Sequence, residues 1–168
     1  MSQPYALIFM GVSGSGKTTA AQAFAEKMGW PFAEADEFHP KANVDKMSQG
    51  IALNDDDRWP WLRDIRDWIS QKSDEGTSVV LTCSALKKSY RVLLEEAEAD
   101  VRFVLLHADR EVLRERMLHR ENHYMPASLL DSQLATLELL EDDEPGVIID
   151  SQHPPEQIIA KTLEYLGI

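Results

Sequence analysis

Five short apolar segments, separated by longer stretches with helical periodicity, constrain the fold of this chain more than any other feature. Residues 5–10, 79–83, 101–107 and 147–150 are almost continuously apolar, and residues 32–35 form a weaker fifth segment. Such runs are typical of strands that are buried on both faces of a parallel sheet. Because parallel strands need crossover connections, the pattern predicts a three-layer α/β fold, with a central parallel sheet of about five strands and helices on both faces.

The stretches between these segments predict helices. They span residues 17–28, 56–72, 89–97, 109–120, 127–139 and 155–166. Gly29 follows the first of them, where a left-handed cap is common. The helix at 56–72 carries apolar residues at helical spacing, and an exposed apolar helix of this kind is compatible with a homodimer. The length of 168 residues, without a linker or repeat, predicts a single domain spanning 1–168.

Composition argues against several classes of partner. The formal net charge is −12, which repels nucleic acid and anionic membrane surfaces. The apolar run near the N-terminus is six residues long (5–10), too short to cross a bilayer. Cys83 is the single cysteine and lies in an apolar run, so we expect a buried thiol and no internal disulfide. Together these features predict a cytoplasmic protein without nucleic-acid or membrane partners.

A phosphate-binding loop follows the first predicted strand. The motif G-x-x-x-x-G-K-[ST] is matched by Gly11, Val12, Ser13, Gly14, Ser15, Gly16, Lys17 and Thr18. Glycines allow positive φ, which turns successive N–H groups toward phosphate oxygens, and the following helix adds its positive dipole end. We expect Lys17 to reach the β- and γ-phosphates of ATP, Thr18 to ligate Mg²⁺, and Thr19 to belong to the same nucleotide site. Switches, motors and metabolite kinases share this loop, so it leaves the acceptor open.

Two charged residues are candidates for the acceptor side. Asp36 follows the weak second strand, and ligands bind at the carboxyl ends of strands in open α/β sheets. Its carboxylate can remove a hydroxyl proton or help to hold Mg²⁺, while a turn cap is the alternative. Arg58 follows an acidic turn at 54–57. It can clamp an anionic substrate, or it can pair with Asp55 or Asp57.

Several blocks, taken in order, resemble the gluconate kinase family. They are the phosphate loop, D-x-x-H-P-x-x-N-x-x-K-M from Asp36, L-N-D-D-D-R-x-P-W-L at 53–62, C-S-A-L-K at 83–87, R-x-x-x-R at 116–120 followed by His123, and S-Q at 132–133. The blocks run from about residue 7 to residue 150. The resemblance implies a nucleoside-monophosphate-kinase-like fold and transfer of the ATP γ-phosphate to the 6-hydroxyl of D-gluconate. The family commonly has Asp-Gly where this chain has Glu-Ala at 34–35, and Gly-His-Phe where it has Asn-His-Tyr at 122–124.

The resemblance also implies roles for individual residues. Asp36 matches the acidic residue near the acceptor hydroxyl, and His39 and Arg58 match positions in the acceptor pocket. The remaining substrate-binding candidates are Lys87, Arg91, His123 and Gln133. For Lys87, Arg91 and the neighbouring Lys88, a solvated helix start is the alternative.

Arg116 and Arg120 are four residues apart, so they share one face of a helix. Their acidic neighbours make a salt-bridged surface the alternative, whereas the resemblance assigns both to the nucleotide and makes Arg120 catalytic. Residues 120–137 are then expected to form a helical lid that closes over both substrates and excludes water. Two other functions stay open: another small-metabolite kinase of the same fold, and a nucleotide-dependent switch without a metabolite substrate.

Overall fold

Five parallel strands form one sheet in the order β2-β3-β1-β4-β5. The computed structural model describes residues 3–12, 15–51, 53–83, 85–118 and 127–168, without the side chains of residues 116–118, 127–130 and 132. The strands are β1 (Tyr5–Met10), β2 (Phe32–Glu34), β3 (Val79–Thr82), β4 (Asp100–His107) and β5 (Gly146–Asp150). Each predicted strand is present within one residue of its expected ends, so the sheet prediction is confirmed.

Seven α-helices lie in the described part of the chain. They are α1 (Lys17–Met28), α2 (Lys41–Ser48), α3 (Asp55–Asp74), α4 (Lys88–Glu95), α5 (Arg110–Leu118), α6 (Ala127–Thr136) and α7 (Pro155–Leu166), and a 3₁₀ turn spans Ala35–Phe38. Gly29 ends α1 with φ +70°, as predicted. The sequence did not predict α2, because Asn43 is its one buried residue and it lacks a continuous apolar side. The predicted lid (120–137) begins outside the described residues, and α6 covers most of the remainder.

The hydrophobic core lies on both faces of the sheet. Successive side chains of β1 point to opposite faces, and both sets are buried. Ala6, Ile8 and Met10 pack in one cluster with residues of α3 and α4. Leu7 and Phe9 pack in the other with residues of α1 and α7. The three-layer arrangement is therefore confirmed.

The apolar side of α3 faces this core. Its buried residues are Trp61, Leu62, Ile65 and Ile69. This helix therefore does not expose the apolar surface that was expected to suit a homodimer, and that expectation is wrong. A separate finding concerns membranes: among the described residues, no helix combines the length and the apolar character needed to cross a bilayer.

The strand order brings three chain segments to one edge of the sheet. The phosphate loop follows β1 at the centre, Cys83 follows β3 beside it, and Asp36 follows β2 one strand further out. Neighbouring strands lie about 4.8 Å apart, so the ends of β1 and β2 are separated by about 10 Å. This carboxyl edge is where open parallel sheets bind ligands, and it holds the candidate site.

Candidate active site

The phosphate loop begins with a glycine that no other residue can replace without a shift of its neighbours. Gly11 has φ +147°, and a Cβ atom there would lie 2.7 Å from the carbonyl oxygen of Leu106 and 2.8 Å from Oγ of Ser15. The Ser15 N–H donates to the carbonyl oxygen of Val12 at 3.2 Å, and the side chains of both residues are buried. The described part of the loop is thus packed tightly against the end of β4. Ser13 and Gly14 lie outside the described residues.

The first helix opens without a side-chain cap. Gly16 is the N-cap residue, has φ +84°, and is followed by a first turn without acidic residues. The first intrahelical bond runs from the Ala20 N–H to the Gly16 carbonyl at 3.1 Å. Since the first amides of a helix have no intrahelical acceptor, those of Lys17, Thr18 and Thr19 point out of the helix end, where an anion is favoured.

Cys83 lies between the two sides of the site. Its side chain is buried, and desolvation raises the pKa of the thiol to about 12. The Asp36 carboxylate contributes to that rise, whereas the Lys17 ammonium opposes it. Both charges therefore act on the same sulfur, although they follow strands that are not neighbours. The predicted phosphate-binding cation and the predicted acceptor carboxylate border one region of the protein.

His39 links Asp36 to the core. Its ring stacks on Trp61 with centroids 4.3 Å apart and planes inclined by 15°, and its Nε2 atom lies 3.9 Å from Oδ1 of Asp36. Desolvation lowers the pKa of His39, the Asp36 carboxylate opposes that change, and Arg58 adds to it. Burial and the Arg58 guanidinium thus favour the neutral imidazole. The Asp36 side chain is 87% exposed, which leaves its carboxylate accessible to a substrate.

Arg58 belongs to a group of charged and phenolic side chains that we call the acceptor cluster: Asp55, Arg58, Lys87 and Tyr90. Nη1 of Arg58 donates to the Tyr90 hydroxyl at 3.1 Å and to Oδ1 of Asp55 at 3.5 Å. Nζ of Lys87 lies 3.3 Å from Oδ2 of Asp55, and the Tyr90 hydroxyl donates to Oδ1 at 2.5 Å. One carboxylate thus holds two cations, and the cluster keeps a net positive charge that suits an anionic ligand.

The ion-pair alternative for Arg58 is realised with Asp55 and not with Asp57. Asp57 is engaged elsewhere: it forms a reciprocal capping box with Asn54 and accepts hydrogen bonds from Lys46 at 2.8 and 2.9 Å. Asn43 also donates to the Asp57 carbonyl oxygen at 2.8 Å. These bonds tie α2 to the start of α3 and fix where Arg58 leaves the helix.

Sequence reasoning missed Tyr90, Asn43 and Lys46 as contributors to this region. Tyr90 lies on α4, 35 residues from Asp55, and no local pattern indicates the contact. Asn43 and Lys46 stand within the block that begins at Asp36, so their spacing from His39 was the available signal. The Nδ2 atom of Asn43 lies 3.2 Å from Nδ1 of His39.

The position of Arg91 differs from the one predicted for a substrate-binding residue. Its side chain is fully buried and bonded to Glu144, at 2.5 Å from Nε to Oε1. An acceptor at the carboxyl edge cannot reach a guanidinium that is enclosed in this way, so the substrate-binding prediction for Arg91 is wrong. Glu144, at the end of the acidic run 141–144, is enclosed as well, because its side chain is 2% exposed.

For four other predicted site residues, the structure does not test the predicted contact. Arg120 and His123 lie outside the described residues, and Arg116 is described as a backbone position in α5. Gln133 lies in α6, where its carbonyl oxygen accepts the Leu137 N–H at 2.8 Å. The predicted roles of these four residues stay predictions.

Comparison with known proteins adds three findings. Residues 7–140 match the family described as AAA domain. A gluconokinase from Gluconobacter oxydans (strain 621H) is 45% identical over 163 residues, which cover 97% of this chain and 92% of that protein. Crystal structures of an unliganded sugar kinase from Janibacter sp. HTCC2649 (51% identity, TM-score 0.90, 98% and 95% of the two chains) and a gluconokinase from Sinorhizobium meliloti 1021 (45% identity, TM-score 0.86, 99% and 94%) share the fold.

Proposed function

Because this chain belongs to the gluconokinase family, we propose that it transfers the γ-phosphoryl group of ATP directly to the 6-hydroxyl of D-gluconate. The observation that carries the proposal is the placement of two unlike sites on one edge of the sheet. A loop suited to phosphate follows β1, and a cluster with net positive charge stands on the side of Asp36. A carboxylate-bearing polyol fits between them.

On the donor side, the amides at the start of α1 and the Lys17 ammonium hold the β- and γ-phosphates. Transfer spreads negative charge over the equatorial oxygens of the γ-phosphoryl group, and fixed donors lower the cost of that charge without reorganising. Arg116 and Arg120 are proposed to add positive charge from α5 and beyond. The bond from phosphorus to the β,γ-bridging oxygen breaks as the acceptor oxygen bonds on the opposite side.

On the acceptor side, Arg58 and Lys87 bind the carboxylate of gluconate, and His39 and Gln133 border the polyol chain. Asp36 lies near the 6-hydroxyl, where its carboxylate can accept the proton as the new P–O bond forms or help to hold Mg²⁺. A neutral imidazole at His39 can exchange hydrogen bonds with hydroxyl groups without adding a positive charge beside Asp36. His123 is proposed to join this side when both substrates are bound.

Mg²⁺ is the cofactor that the family implies, and the residues present fit it. Thr18 and Asp36 offer a hydroxyl and a carboxylate oxygen, the hard ligands that Mg²⁺ prefers, and this ion usually completes its shell with nucleotide phosphates and water. When bound, it neutralises charge on the β- and γ-phosphates. Whether Asp36 contacts the ion or takes the proton is decided by the variants described below. We infer a cytoplasmic location, in keeping with one buried free thiol.

The proposal is tested with an acceptor panel. Purified protein with Mg-ATP is assayed for ADP release with D-gluconate, its epimers, shikimate, adenylylsulfate and nucleoside monophosphates. We expect turnover with D-gluconate and a product phosphorylated at oxygen 6. Turnover of another acceptor with gluconate inert would make this a different metabolite kinase, and slow hydrolysis indifferent to every acceptor would indicate a switch.

A further inference from the structure

Arg91 is the largest of the fully buried side chains among the described residues, and it is charged. Its Nε and Nη2 atoms donate to the two carboxylate oxygens of Glu144 at 2.5 and 3.1 Å. Replacing a buried ion pair with apolar side chains of similar volume is often neutral or stabilising. Stability alone therefore gives little reason for an arginine at this position.

The guanidinium also contacts two segments that border the site. Nη1 donates to the Ala85 carbonyl oxygen at 2.9 Å, in the turn between β3 and α4. Nη2 reaches the Leu139 carbonyl oxygen at 3.5 Å, in the segment that leads from α6 to β5. The same segments meet directly, because the Glu138 N–H donates to the Leu86 carbonyl oxygen at 2.7 Å. One side chain thus joins the acceptor side to the end of α6.

The turn that Arg91 holds has a strained backbone. Ala85 has φ +41° and is the one non-glycine residue with positive φ in the described part of the chain. A residue keeps such a conformation where its surroundings hold it there. Two residues later, Lys87 reaches the Asp55 carboxylate in the acceptor cluster. The turn that Arg91 contacts is therefore the one from which the Lys87 side chain extends to the acceptor cluster.

We propose that Arg91 is a positioning residue: it fixes the turn 85–87 against the segment after α6 and thereby places Lys87 for the acceptor carboxylate. The inference rests on the proposed function of the site. It predicts that a loosened Arg91 affects gluconate much more than ATP, since the phosphate loop follows a different strand.

The first test is Arg91→Lys. Lysine keeps the charge opposite Glu144, but one ammonium cannot reproduce the planar fork that serves Glu144, Ala85 and Leu139 together. We expect kcat/KM for D-gluconate to fall about 10- to 100-fold, the size of effect that a small misplacement produces, with KM for ATP unchanged. Leu166→Ala is the control, because Leu166 is buried on the opposite face of the sheet. It should lower the Tm and leave both KM values as they are.

The second test spares the ion pair. Ala85→Gly makes positive φ easy and frees the turn, so we expect a smaller fall in kcat/KM for D-gluconate, again with KM for ATP unchanged and without loss of Tm. If Arg91→Lys does not fold, Ala85→Gly decides. A lowered Tm with unchanged kinetics in Arg91→Lys, or wild-type kinetics in Ala85→Gly, would show that Arg91 is structural.

Amide hydrogen exchange separates this inference from the proposed function. In Arg91→Lys without substrates, exchange should become faster at residues 85–88 and at Glu138, and stay unchanged in β1 and α7. If the wild-type protein does not phosphorylate gluconate, the proposed function fails, and the exchange result still decides whether Arg91 holds the two segments. Unchanged exchange in both segments would overturn the inference.

Discussion

The two sides of this site place their ligand-binding groups in different ways. On the donor side the backbone does it: Gly11 and Gly16 adopt positive φ, and the amides at the start of α1 point out of the helix end, where the phosphates are proposed to bind. On the acceptor side the side chains do it: Arg58 and Lys87 are held by Asp55 across up to 32 residues of sequence. The donor side depends on the backbone conformation of a few residues in one loop. The acceptor side forms only when α3 and the turn before α4 pack together and bring its side chains into contact.

This difference explains how each side tolerates change. A site built from backbone amides tolerates most substitutions outside its glycines and its cation, because every residue other than proline supplies an amide. A side-chain site can be altered residue by residue, so that affinity for the acceptor changes while ATP binding stays constant. We therefore expect donor-side variants to lower kcat, and acceptor-side variants of binding residues to raise KM for D-gluconate while KM for ATP stays constant.

The largest effect is expected from Lys17→Met on the donor side. Methionine keeps roughly the length of the side chain and removes the charge that is proposed to face the transferring phosphoryl group. We expect kcat to fall about 10³-fold or more, comparable with the loss of a cation that stabilises phosphoryl transfer. Steady-state assays measure the loss, and circular dichroism should show an unchanged fold. A variant that keeps most of its activity would remove Lys17 from the transfer step.

Asp36→Asn should give the next largest effect. If the carboxylate accepts the hydroxyl proton, kcat falls about 10²- to 10⁴-fold, as for other general bases, while KM for ATP changes little. If it holds Mg²⁺ instead, the loss is partly recovered at high Mg²⁺ concentration, so the assay is run as a Mg²⁺ titration. Glu37→Gln is the control, because Glu37 is an exposed neighbour in the same 3₁₀ turn. Equal losses in the two variants would contradict a specific role for Asp36.

How much of this the sequence could predict follows from the same contrast. The donor loop and the five strands depend on local patterns, so the strand ends were predicted within a residue, and Gly11 and Gly16 have the positive φ expected of glycines in such a loop. On the acceptor side, the family resemblance assigned His39 and Arg58, and the position of Arg58 after an acidic turn also made it a candidate, yet Tyr90 was missed. The substrate-binding prediction for Arg91 was wrong because a charged residue near a helix start is usually exposed, and both interpretations of Arg91 assumed an exposed side chain. Its burial depends on Glu144, 53 residues away, and no local pattern encodes that pair.

A more moderate effect is expected from Arg58→Ala on the acceptor side. The loss of a charged hydrogen bond to the substrate should raise KM for D-gluconate about 10- to 100-fold and leave KM for ATP unchanged. Arg63→Ala is the matched control, since Arg63 lies on α3 and is exposed. An unchanged gluconate KM in Arg58→Ala would remove this residue from the pocket and weaken the contrast between the two sides.

The smallest effect concerns Cys83, which lies between the two sides. Burial raises the pKa of its thiol to about 12, well above the value near 8.5 of a thiol in an unfolded chain. Above pH 9 the unfolded chain therefore loses this proton first, so the free energy of unfolding should fall with rising pH, by at most about 1.4 kcal/mol per pH unit from this group. Urea unfolding from pH 8 to 10.5 measures the slope, and Cys83→Ser should make it shallower while both KM values stay close to wild type. Equal slopes in the two proteins would mean that solvent reaches the thiol, and that the boundary between the donor and acceptor sides is open to water and not closed by packed side chains.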